Sequence, residues 1–129
     1  MKTHTKQRAL ILFAHGARDP RWSAPFEKLQ QITQQAQPEI AVCNAYLEFM
    51  QPDLPTSVAQ LVQAQCGDIT IVPVFLGQGG HVLRDLPRLM AGLREQYPDL
   101  HLRQVNAVGE DAAVLEAIAQ YCLDSMTRV

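Results

Sequence analysis

The 129-residue chain changes hydrophobic period again and again, and this alternation limits its folds more than any other feature. Residues 8–15 form a near-continuous apolar run, the pattern of a strand covered on both faces. Residues 40–49, 68–76 and 100–108 read as three further strands, with 68–76 the most apolar. Between them the apolar positions recur every three or four residues. Trp22, Phe26, Leu29, Ile32 and Ala36 mark a helix over 20–36. Leu54, Val58, Leu61 and Val62 mark one over 54–66, with Asp53 as its N-cap, Pro55 in its first turn and Gly67 as its terminating glycine. Val82, Leu86, Leu89, Met90, Leu93 and Tyr97 mark one over 82–97. Val114, Ile118, Tyr121 and Cys122 mark the last, over 111–126, capped by Asp111. Strands separated by helical crossovers give βαβ units and a mostly parallel sheet. The expectation is one α/β domain over 1–129: a flavodoxin-like three-layer sandwich whose four-stranded sheet carries helices on both faces.

Such a sheet binds ligands at the C-terminal ends of its strands. His15, in Ala14-His15-Gly16, and His81, in Gly79-Gly80-His81, each follow an apolar run and have glycine beside them. A lone strand-end histidine most often satisfies a loop carbonyl. In flavodoxin-like order, however, strands one and three are neighbours, so both imidazoles reach one cleft. Neutral imidazole is the commonest protein ligand for borderline divalent metals. Glu48 falls near the end of strand two. It is either an edge carboxylate facing water or a third member of the cleft, as ligand or proton acceptor. Arg18, Arg84 and Arg88 flank the histidine segments, as solvated helix-end charge or as a basic rim for carboxylates. Gly77, Gly79 and Gly80 resemble a phosphate loop only weakly. The chain has no GxGxxG after strand one and no GxxxxGK[ST], which disfavours a nucleotide site.

Composition narrows the partners. A net charge of −2 and a pI near 6.0 exclude the basic face of a nucleic-acid binder, and no polybasic stretch points to a membrane. The first eight residues are polar, and the apolar run after them is too short for a signal core or a membrane span. Cys43, Cys66 and Cys122 form no CxxC motif and are read as reduced thiols of a cytoplasmic protein.

The segment Phe13-Ala14-His15-Gly16-Ala17-Arg18-Asp19-Pro20 resembles the opening motif of the sirohydrochlorin chelatases, short CbiX type. Residues 72–87, which contain Gly79-Gly80-His81-Val82-Leu83-Arg84-Asp85-Leu86-Pro87, resemble that family's second histidine motif. Tyr46-Leu47-Glu48 with Pro52 and Pro55 is similar to its middle motif, and Val108-Gly109-Glu110-Asp111 fits its tail. The resemblance implies a chelatase-like fold that inserts Co²⁺, Ni²⁺ or Fe²⁺ into sirohydrochlorin, with the metal as substrate and no organic cofactor. It places metal binding on His15 and His81, and an acidic helper role on Glu48. Arg18, Gly79, Gly80, Arg84 and Arg88 become candidates for the tetrapyrrole. Short family members work as homodimers, which implies the same here. Two readings of other classes stay open: a non-catalytic carrier of metal or tetrapyrrole, and a flavodoxin-like regulatory domain.

Overall fold

A computed structural model describes residues 7–77 and 79–128; the side chains of His81 and Leu83 lie outside the described set. The four expected strands form one parallel sheet in the order β2-β1-β3-β4. They are β1 (Gln7–Ala14), β2 (Ala41–Tyr46), β3 (Cys66–Pro73) and β4 (His101–Gln104). The helices are α1 (Ala24–Ala36), α2 (Leu54–Gln63), α3 (Gly80–Gln96) and α4 (Ala112–Ser125), with short 3₁₀ turns at Pro20–Ser23 and Val108–Glu110. No helix among the described residues is long and apolar enough to cross a membrane.

Strand alternation divides the sheet into two faces. Ala9, Ile11, Phe13, Ala45, Ile69 and Ile71 point to one of them and meet Leu54, Val58, Leu61, Val82, Leu86, Met90 and Leu93 of α2 and α3. This is the main core, and the stripes expected on those two helices form it. Side-chain caps hold the helix starts: Asp53 Oδ1 accepts from the Thr56 amide (2.9 Å) and Asp111 Oδ2 from the Val114 amide (3.2 Å). Asp19 caps the 3₁₀ turn ahead of α1 through the Arg21 amide (2.9 Å).

The other face is covered differently from expectation. No residue of α1 is buried, and Leu29 and Ile32 stay exposed. The helix is tied to the outer edge of β2 by amides: Gln30 Nε2 donates to the Val42 carbonyl (2.8 Å), Gln34 Nε2 to the Ile40 carbonyl (2.7 Å), and Gln34 Oε1 accepts from the Val42 amide (3.0 Å). On the opposite edge, the Arg94 guanidinium donates to the Leu102 carbonyl of β4 (3.2 Å). The expected inner stripe of α4 is not inner at all, since none of its 14 residues is buried.

Three boundaries also move. Cys66 and Gly67 begin β3 rather than end α2, because Gln65 takes the left-handed turn at φ 72° and Gly67 is not needed for it. Strand β2 stops at Tyr46, because the chain bends back and the Tyr46 amide bonds the Pro52 carbonyl (3.0 Å). Helix α3 starts at Gly80 with Gly79 as its N-cap, two residues ahead of the expected 82, while β3 already ends at Pro73, and Gln78 of the connection between them lies outside the described residues.

Candidate functional site at the carboxyl edge of the sheet

The strand order β2-β1-β3 puts the chain reversal at β1, and the crevice at such a switch point is the usual ligand site of an open α/β sheet. His15 leaves β1 directly into this crevice. The backbone ladder continues beyond the strands: the Leu47 amide donates to the Ala14 carbonyl (2.9 Å) and the Glu48 amide to the His15 carbonyl (3.1 Å). This lays the 47–50 bend alongside residues 14–16. Gly16 makes the approach possible. Its φ of 93° is left-handed, and a Cβ there would overlap the Glu48 carbonyl oxygen.

The result joins two expected site residues. His15 Nε2 lies 3.2 Å from Glu48 Oε1, with the two side chains 44% and 41% exposed. Both are therefore open to a ligand. Glu48 sits in the bend after β2, not in the strand as expected, and it faces the imidazole rather than bulk water at a sheet edge. A carboxylate that accepts a hydrogen bond from one ring N–H fixes the tautomer and leaves the other nitrogen's lone pair available to a metal.

His81 does not follow a strand directly. Its backbone lies in the first turn of α3, after the 74–79 connection. Among the described residues no three His, Cys, Asp or Glu side chains gather closely enough to hold a metal, and the His81 side chain is not one of those residues. Gly79 and Gly80 open the same helix. Arg84 turns back on this turn, with Nε 3.4 Å from the Gly80 carbonyl. Arg88 and Asp85 border an open depression with Leu47 and Leu89, next to the bend that carries Glu48.

Phe49 was not anticipated from sequence. It adopts φ 68°, a left-handed conformation that is costly for a bulky side chain, and its ring remains 55% exposed. The Arg18 guanidinium carbon lies 4.9 Å from the ring centroid. Arg18, Phe49, Glu48 and His15 thus occupy one continuous rim. The only sequence signal for Phe49 was a large aromatic residue beside Glu48 at a strand end.

A pair of tight backbone approaches supports this edge. Val74 donates to the Phe13 carbonyl (2.7 Å) and Gly109 to the Phe75 carbonyl (2.8 Å), where a Cβ on Gly109 would overlap the backbone of Leu76. Burial disfavours the thiolate at two of the cysteines: desolvation pushes Cys43 up to about 11, with the nearby Cys66 adding to the shift, and burial raises Cys66 as well.

Known proteins share both the pattern and the architecture. The sirohydrochlorin cobaltochelatase of Methanocaldococcus jannaschii is 32% identical over 89 residues, which take in 69% of this chain and 62% of that protein. The sirohydrochlorin cobaltochelatase of Methanopyrus kandleri is 29% identical over 91 residues, 70% of this chain and 63% of that protein. The chain thus spans less than two thirds of the length of these relatives. A crystal structure from Marinobacter aquaeolei VT8, assigned to cobalamin biosynthesis as a CbiX protein, superposes with a TM-score of 0.83 at 29% identity, over 95% of this chain and 99% of that one. The sirohydrochlorin chelatase SirB of Bacillus subtilis, solved with cobalt, shares the fold at a TM-score of 0.78 and 20% identity, over 92% of this chain and 50% of that one. The model of the CbiX family matches residues 9–125, and the chain belongs to that family.

Proposed function

We propose that the protein is a sirohydrochlorin chelatase that inserts a divalent metal, Co²⁺ by the names of its relatives, into the tetrapyrrole. The observation that carries this reading is the His15–Glu48 pair, 3.2 Å apart and open to solvent at the switch-point crevice. The metal is a substrate here, so its site must bind and release it. Two imidazoles and a carboxylate suit that task better than a closed thiolate cage.

In this reading His15 and His81 hold the ion. Glu48 accepts a hydrogen bond from the Nε2–H of His15, which would leave the Nδ1 lone pair free for the ion. Insertion releases two pyrrole protons. Glu48 takes one as the ring nitrogen coordinates, the second passes to solvent, and His15 stays neutral and lets the ion go. The protein's largest contribution is orientation, which turns a slow encounter of two solutes into a first-order step. Arg18, Arg84 and Arg88, with the Gly79 and Gly80 amides, face the ring's carboxylates. No organic cofactor enters the scheme, and the tetrapyrrole is the one large partner. The reading extends to a cytoplasmic homodimer.

The test is an insertion assay with Co²⁺, Ni²⁺ and Fe²⁺ side by side, followed by the absorption change of sirohydrochlorin. His15→Ala and His81→Ala each lose at least most of the turnover at limiting metal while keeping the far-UV circular dichroism. Full turnover by both variants overturns the assignment. Metal or ring binding without any insertion by the unmodified chain favours a carrier instead.

A further inference from the structure

Two large apolar side chains stand exposed on the strand ends to either side of His15. Among the described residues, those left exposed away from α1 and the C-terminal segment that carries α4 are Phe49, Leu76 and Val105. Val105 follows β4, the strand at the far edge of the sheet. Phe49 follows β2 and Leu76 follows β3, the two neighbours of β1 at the switch point. Phe49 is 55% exposed and Leu76 66%. A single exposed apolar side chain is ordinary on a protein surface. These two differ because the backbone holds both of them in place.

Each segment is tied to β1 just ahead of its exposed residue. The Glu48 amide bonds the His15 carbonyl (3.1 Å), and Phe49 comes next. On the other side the Val74 amide bonds the Phe13 carbonyl (2.7 Å) and Phe75 meets Phe13 edge to face, ring centres 6.0 Å apart; Leu76 comes next. A glycine closes on each segment in turn: Gly16 on the Glu48 carbonyl and Gly109 on the Leu76 backbone, with no room for a Cβ at either. Phe49 also carries the strain of φ 68°, and more than half of its ring is left in water. Strain of this kind collects at ligand clamps. Cationic groups stand beside both walls. The Arg18 guanidinium carbon lies 4.9 Å from the Phe49 ring centroid, and Arg84 sits near the start of α3, just after the Leu76 segment. A ligand suited to these walls has an apolar body and anionic groups on its rim.

We propose that Phe49 and Leu76 are paired apolar walls that seat the body of the tetrapyrrole, one on each side of His15, and so set the ring's position over the ion. The inference rests on the chelatase reading and adds to it a division of labour. His15 and Glu48 act on the metal, whereas Phe49 and Leu76 act on the ring alone. A macrocycle seated between the walls takes both side chains and its own apolar surface out of water. Ring affinity therefore depends on the two walls, and ion affinity does not.

Titration of the full chain with metal-free sirohydrochlorin, followed by the ring's absorption, tests this without turnover. Leu76→Ser and Phe49→Ser each weaken ring binding by about five- to tenfold, the scale of losing part of one buried apolar side chain, and the double variant by roughly thirtyfold. Leu76→Met and Phe49→Tyr keep it. Co²⁺ affinity, read by indicator competition, is the same in all of these chains. Far-UV circular dichroism is unchanged, because neither side chain is buried. In the insertion assay the KM for the ring rises in the serine variants while kcat holds. Ring binding by the double variant equal to that of the unmodified chain overturns the inference and leaves the chelatase reading standing. An equal loss of ring and Co²⁺ affinity overturns it too, since the change then reaches the metal site. Ring binding that depends on both walls, without insertion by the unmodified chain, supports the walls and refutes the chelatase. No ring binding by the unmodified chain refutes both.

Discussion

His15 Nε2 and Glu48 Oε1 stand 3.2 Å apart although their residues lie on different strand ends, because the backbone of one bonds the backbone of the other. If the carboxylate orients the imidazole, Glu48→Gln weakens metal binding by about 10–100-fold, the usual cost of losing such a partner. His15→Ala removes a ligand and costs more. Competition titration with a Co²⁺ indicator reads both. Equal affinities for the unmodified chain and Glu48→Gln count against the orienting role.

Gly16→Ala tests the close approach. The new Cβ meets the Glu48 carbonyl, and the left-handed φ of 93° disfavours any side chain. The variant loses about 1–3 kcal/mol of stability, the scale of a strained backbone position, and separates Glu48 from His15. Urea unfolding gives the first quantity and insertion rate the second. A variant that retains both contradicts the packing described.

Phe49→Gly separates strain from function. Glycine accepts φ 68° without the roughly 1 kcal/mol cost that a bulky residue bears there. Melting temperature therefore holds or rises. If the exposed ring is a platform for the tetrapyrrole, KM for sirohydrochlorin rises about tenfold while metal affinity is unchanged, in line with about 1–1.5 kcal/mol for an aromatic stack. An unchanged KM assigns the ring no such role.

The cap of α2 makes stability depend on acid. The Thr56 hydroxyl and amide hold the Asp53 carboxyl below its ordinary range. A lowered folded pKa contributes stability above the unfolded value of about 4 and loses it as pH falls through the folded value. Asp53→Ala thus costs about 1 kcal/mol at pH 7, and the gap narrows below pH 4. Asp53→Asn keeps the cap and flattens the pH dependence. Denaturant midpoints between pH 2 and 7 measure this, and a pH-independent gap excludes the mechanism.

The sequence revealed the strands and the caps of α2 and α4, since apolar runs and side-chain caps are local signals, and the flavodoxin-like order anticipated that β1 and β3 are neighbours. Position in space was harder to read. The periodicity of α1 and α4 marks amphipathic helices truthfully, but a stripe does not say what will cover it. Gln30 and Gln34 carry no local signal of their role, yet they replace the missing neighbour of β2. Gly67 looked like a helix stop, but Gln65 turned the chain first. Glu48 was legible as a carboxylate in the wrong surroundings. Its meeting with His15 was not, because it depends on a ladder that outruns both strands.

Each outer strand has a free backbone position occupied from within: the Val42 amide and carbonyl by two glutamines, the Leu102 carbonyl by Arg94. An incoming strand would have to break these bonds before it could pair. These bonds oppose sideways growth of the sheet by added strands.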